Sequence, residues 1–222
     1  MRLAKGSFIC LAICTAALCA RLSHAQTDAF ARLDFGGELL IEVPRHWTYF
    51  DENLRKHLDT ATEATTRLAG ISRASAEHVI LVAGNAQTSS RGTSATLRLS
   101  VRRGPGLTQA QMREVAKVPK AELAKLLAPV LEDTRKVLVG VDGVTGAQPS
   151  SDVRLVTNQG LLCMFFEFQT DTMDGARLSQ TYLCPLGDKA VKLSTSYRVS
   201  EARLMRPVVE YVWQSLRIRM AG

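Results

Sequence analysis

The chain has 222 residues, with 28 Lys and Arg against 21 Asp and Glu, for a formal net charge of +7. The excess of cations is small and scattered, which argues against a nucleic-acid-binding surface. A chain of this length buries a core without help from a metal or a dense disulfide framework.

The N-terminus reads as an export signal. Arg2 and Lys5 precede an apolar run from Ser7 to Ala20, and the small residues Ser23 and Ala25 stand at −3 and −1 of a cleavage site before Gln26. The fourteen residues of that run fall short of the ~20 needed to span a bilayer. Cys10, Cys14 and Cys19 follow the bulky Ile9, Ile13 and Leu18, where lipoprotein processing requires a small residue. The reading is therefore a cleaved secretory signal peptide over 1–25 and a single α+β domain over 26–222. Losing Arg2, Lys5 and Arg21 takes the 28 cations to 25 against the same 21 acids. The expected location is the periplasm or the exterior, with membrane contact only in transit.

Glu38 to Val43 (ELLIEV), closed by Pro44, predicts a first strand. His46, Trp47, Tyr49 and Phe50 follow as a corner whose aromatics plug the core. Asp51 or Asn53 caps a helix that lines up Leu54, Leu58, Ala61, Thr65 and Leu68 before Gly70 stops it. His78 to Gly84 predicts an interior strand. After the polar link Asn85 to Thr93, the alternation of Ala95, Leu97, Leu99 and Val101 predicts a half-buried one. Gly104-Pro105-Gly106 breaks the chain, and Thr108 caps a helical segment containing Met112, Val115 and Ala116.

Beyond Pro119, Leu123, Leu126, Leu127, Val130 and Leu131 predict a core-facing helix, with a kink at Pro129 or an end near Ala128. Lys136 to Val141 is expected to be a short strand. Asp152 to Thr157 pairs through Asn158-Gln159-Gly160 with a three-stranded meander: Leu161 to Phe168, Leu178 to Pro185 and Ala190 to Val199. Ser200 caps a turn, and Pro207 is expected to open a last helix with Val208, Val209, Val212, Trp213 and Leu216 on its apolar stripe.

A hairpin folded about Met173 and Asp174 sets Cys163 opposite Cys184, within disulfide reach, and export favours the bond. In that register Met164 faces Leu183. The third strand is expected to continue that face with Val191, Leu193, Thr195 and Tyr197, leaving the cysteines on the polar side with Lys192, Ser194, Ser196 and Arg198. His46, His57 and His78 lack metal-ligand spacing, and Asp171 and Asp174 fit a hairpin turn better than a calcium loop. No catalytic, cofactor or metal residue is assigned, because no nucleophile-elbow, zinc-helix, P-loop or dinucleotide motif occurs.

The layout of VPRHW (Val43 to Trp47), a helix, strands, a second helical region, Asp142-Gly143-Val144, a meander and a final helix ending in Val212 to Ile218 resembles the PsbP-like superfamily, including its bacterial DcrB-like group. The resemblance covers about Phe35 to Ile218. It implies a single antiparallel β-sheet of about six or seven strands flanked by helices, and a family of binding or accessory modules without a shared catalytic centre. The functional expectation is a non-enzymatic accessory or binding protein. Its partner would be a protein or an envelope component, held on a sheet face or in the groove where sheet meets helices. The alternatives are an exported hydrolase built around one of the histidines and an inhibitor or immunity-type protein against an exported toxin.

Overall fold

A computed structural model describes residues 29–49, 77–85, 95–140 and 143–219. The stretch read as a signal peptide (1–25), the stretch from Leu54 to Leu68 read as a helix, with His57, and most of the polar link before Ala95 lie outside the described residues.

The strands are β1 (Phe30–Phe35), β2 (Leu39–Pro44), β3 (Thr48–Tyr49), β4 (Glu77–Gly84) and β5 (Ala95–Arg103). Helices α1 (Gln109–Val115) and α2 (Lys120–Val139) come next, followed by β6 (Val144–Pro149), β7 (Arg154–Asn158), β8 (Leu161–Thr172), β9 (Gly175–Pro185) and β10 (Lys189–Arg198). Helix α3 (Ala202–Ser215) and β11 (Arg217–Ile218) close the chain. The fold is α+β and antiparallel, as expected, but its strands form two sheets. One has three strands in the order β1-β2-β11; the other has eight, ordered β3-β4-β5-β10-β9-β8-β6 with β7 also paired to β8. The extra sheet comes from β1, a strand that the mixed sequence FARLDF does not announce.

The meander is the spine. Met164 pairs with Leu183 and Thr172 with Gly175, so the turn is Met173-Asp174 and Cys163 bonds Cys184 at an S–S distance of 2.10 Å. Gln159 and Gly160 both have positive φ, 50° and 79°, the geometry of a two-residue hairpin turn between β7 and β8.

The next turn overturns one expectation. Pro185 pairs with Ala190, and Leu186 donates to the Lys189 carbonyl at 2.8 Å, so the loop is Gly187-Asp188 with Gly187 at φ 93°. Val191 therefore stands opposite Cys184, not beside Leu183. A one-residue slip exchanges the faces of a strand, so the cysteines share the core face with Val191, Leu193 and Tyr197 and are 0% and 1% exposed.

That core face packs against the small sheet and α3. Leu39, Ile41 and Val43 of β2, Leu97 and Leu99 of β5, Val209 and Val212 of α3, and Leu216 just beyond it meet there. Trp47 plugs the same core, and Trp213 stacks on Tyr182 with centroids 4.1 Å apart. A second apolar cluster lies elsewhere: Val153, Phe166 and Phe168 pack with Leu127, Leu131 and Leu138 of α2.

The helices depart from expectation twice. Helix α2 runs through Pro129 to Val139, so Lys136 opens no strand, and the next strand begins at Val144. Pro129 costs one backbone bond, which the Leu127 and Leu131 packing on either side of it outweighs. Helix α3 begins at Ala202, wound out of a 3-10 turn over Val199–Glu201, so Pro207 lies inside it and not at its start. Arg206, one residue earlier, reaches to 3.7 Å from the buried Glu167 carboxylate. Thr108 caps α1 as expected, in a reciprocal pair with Gln111. Gln109 then stitches α1 to the sheet by donating to the carbonyls of Leu162 and Pro185 and accepting from the Leu162 amide.

Candidate ligand-binding groove

Helix α2 has more apolar positions than one buried face can use. Leu127, Leu131 and Leu138 pack onto the sheet, while Val130 and Val137 sit to one side, 42% and 41% exposed. Between that side of the helix and the sheet face opposite the main core runs an open groove of about 600 Å³. Val130, Val137 and Leu138 form its helix wall, and Val153, Met164, Phe166 and Leu183 continue the apolar lining.

The floor is hydroxyl-rich because the polar positions of β9 and β10 face each other. Thr181 is directly opposite Ser194 and Ser179 opposite Ser196. Their hydroxyls bond across the strands, at 3.3 Å for Thr181 and Ser194 and 3.4 Å from Ser179 to Ser196, and Arg177 donates to Ser196 at 3.0 Å. These groups satisfy one another, which lowers what they demand of a ligand.

Arg98 and Lys192 line the groove on its β5–β10 side, gathered by Glu77 from the neighbouring β4. Lys192 lies 2.7 Å and Arg98 3.8 Å from the Glu77 carboxylate, which also accepts from the Ser100 hydroxyl at 2.5 Å. Burial, the largest single influence, pushes the Glu77 carboxyl up. The Lys192 ammonium, the hydrogen bonds from Lys192 and Ser100, and the Arg98 guanidinium together outweigh it and hold the group below its usual value.

The residues singled out in the sequence fall elsewhere. Cys163 and Cys184 lie on the opposite face of the sheet, although their neighbours Met164 and Leu183 line the groove. His46, in the turn before β3, and His78, on β4, are both exposed, and neither lines the groove. Asp171 ends up in β8 and Asp174 in the hairpin turn. The floor residues Lys192, Ser194 and Ser196 were legible as one polar face. The Glu77 cluster was not, because it joins residues 115 apart in the chain through the order β4-β5-β10.

A second, polar cleft of about 470 Å³ lies at the C-terminal end of α3. Its groups serve the fold. Asn158 donates to the carbonyls of Trp213 and Leu216 at 2.7 and 3.1 Å, Arg217 donates to the carbonyl of Gln214, and Tyr211 donates to Glu42. They satisfy carbonyls that a helix end leaves open, and the Glu42 bond pushes the Tyr211 hydroxyl's pKa up.

No family model and no curated protein matches the chain. Solved structures do. The solution structure of cyanobacterial PsbP (CyanoP) from Synechocystis sp. PCC 6803 aligns with a TM-score of 0.51 at 11% identity, over 86% of this chain and 93% of that one. LpqN of Mycobacterium tuberculosis, described as involved in cell envelope biogenesis, gives 0.43 at 13% identity over 86% and 91%. The Saccharomyces cerevisiae Ran-binding protein Mog1p gives 0.42 at 11% over 85% and 95%. With its antiparallel sheets, flanking helices and element order, the chain has the PsbP-like fold.

Proposed function

We propose that the chain is an exported, non-catalytic binding or accessory protein of the periplasm or exterior, and that the groove between α2 and the β9–β10 face is where it meets its partner, a protein or another envelope component. The groove itself carries this reading. It is a sizeable open cleft with apolar walls, and hydroxyls of its floor bond one another across β9 and β10, an arrangement suited to recognition by shape. Export is supported by the Cys163–Cys184 bond, since such bonds persist in oxidising compartments.

The test is a photo-crosslinking amino acid placed at Thr134, on the groove wall, and in parallel at Met173, on the distant hairpin turn, in cells carrying the full-length chain. The proposal expects one envelope component to be captured from Thr134 and not from Met173. Equal capture from both positions, or retention of the chain in the cytoplasm, contradicts it.

A further inference from the structure

We infer that the groove takes a single-chain amphiphile with an anionic head, a long-chain carboxylate or an alkyl phosphate. This rests on the groove being the binding site. The walls account for the chain: Val130, Val137 and Leu138 on the helix side, and Met164, Phe166 and Leu183 on the sheet side, give an alkyl segment apolar contact on both flanks. The volume of about 600 Å³ lies within the range of small-molecule sites. Because floor hydroxyls already bond one another, an apolar chain laid over them gives up fewer hydrogen bonds to water than it would over unpaired hydroxyls.

The helix wall also continues past the groove. Leu126 stands one turn from Val130 and is 65% exposed, so the apolar track extends beyond the cavity.

The charge of the surrounding face accounts for the head. Among the described residues, the strands present Arg98, Arg102, Arg177, Lys192 and Arg198 on this face against Glu77 alone. Asp133 stands on the helix wall, and Glu201, beyond β10, is 4.0 Å from Arg198. Arg177 and Arg198 are paired directly across β9 and β10, which adds to the positive character of that part of the face. Burial, with the nearby Arg198 charge, holds the Arg177 pKa low, against the opposing pull of Asp174 and Glu201. Arg98 and Lys192 are the cations that reach the groove itself, and their side is where the head belongs.

The experiment is a fluorescence titration of the chain from Gln26 onward with a dansyl-labelled undecanoate. Competitors are dodecanoate, dodecyl phosphate, dodecyltrimethylammonium and dodecyl maltoside, each below its micellar concentration. The inference expects one saturable site from which the two anionic chains displace the probe at least about tenfold better than the cationic and neutral ones, a difference of ~1.4 kcal/mol. Whichever anion competes better separates a carboxylate from a phosphate head. Val137→Asp should weaken binding by a similar factor, whereas Val139→Asp, on the same helix and equally exposed but outside the groove, should leave it unchanged. Binding indifferent to the head, binding unaffected by Val137→Asp, or no binding overturns the inference. If the Thr134 crosslink still captures a partner, the groove remains the binding site and only the ligand class falls.

Discussion

The two faces of the eight-stranded sheet are built by the same alternation and put to different uses. On one, Leu97, Leu99, Cys163, Tyr182, Cys184, Val191 and Leu193 are sealed under the small sheet and α3. On the other, Arg98, Thr181, Lys192, Ser194 and Ser196 border a groove that α2 leaves open. The difference teaches where each kind of change should be felt. A closed face turns substitutions into lost stability, while an open one, if the proposed function holds, turns them into lost binding.

The largest effect is expected on the closed face. Trp213→Ala removes a ring that is 6% exposed and stacked on Tyr182, and should cost about 3–5 kcal/mol in urea unfolding. Replacing both cysteines by Ala reopens a loop with a sequence separation of 21 and should cost about 3 kcal/mol. Comparing melting with and without reductant gives the same quantity in the wild type. Asn158→Ala leaves the Trp213 and Leu216 carbonyls without their buried donor and should cost about 1–2 kcal/mol.

The boundary between the faces shows its character through pH. Glu77 is held below its usual carboxylate value when folded, so its contribution is present above the unfolded value of about 4.3 and is lost as pH falls through the folded value. Wild type and Glu77→Gln should therefore differ in stability near neutral pH and converge in acid. A difference that grows on acidification would contradict the sign. The smallest stability effect belongs to the open face: Val137→Asp should change unfolding by no more than about 0.5 kcal/mol.

Much of this contrast was legible in the sequence. The alternation from Ala95 to Val101 sorted β5 correctly, and the symmetry of the hairpin about Met173 and Asp174 placed Cys163 against Cys184. What misassigned the cysteines was a single turn. The Gly187-Asp188 loop sets the register of β10, and without it the cysteines fell on the polar face. The PsbP-like element order held, while the length of α2 did not: periodicity marks an apolar face but cannot say whether tertiary packing will carry a helix past Pro129. The groove was only partly legible. Its floor follows from strand alternation, but the rim from Val130 to Val137 reads as surplus core until the sheet shows how much of α2 it covers.

The most direct test of the two-face account is amide chemical-shift mapping of the chain from Gln26 onward during titration with dodecyl phosphate. The account predicts shifts concentrated at Val130, Val137, Thr181, Lys192 and Ser194, with Ile41, Val43 and Val212 unmoved. Shifts centred on the Glu42 and Tyr211 cleft, or spread evenly through both faces, would contradict it.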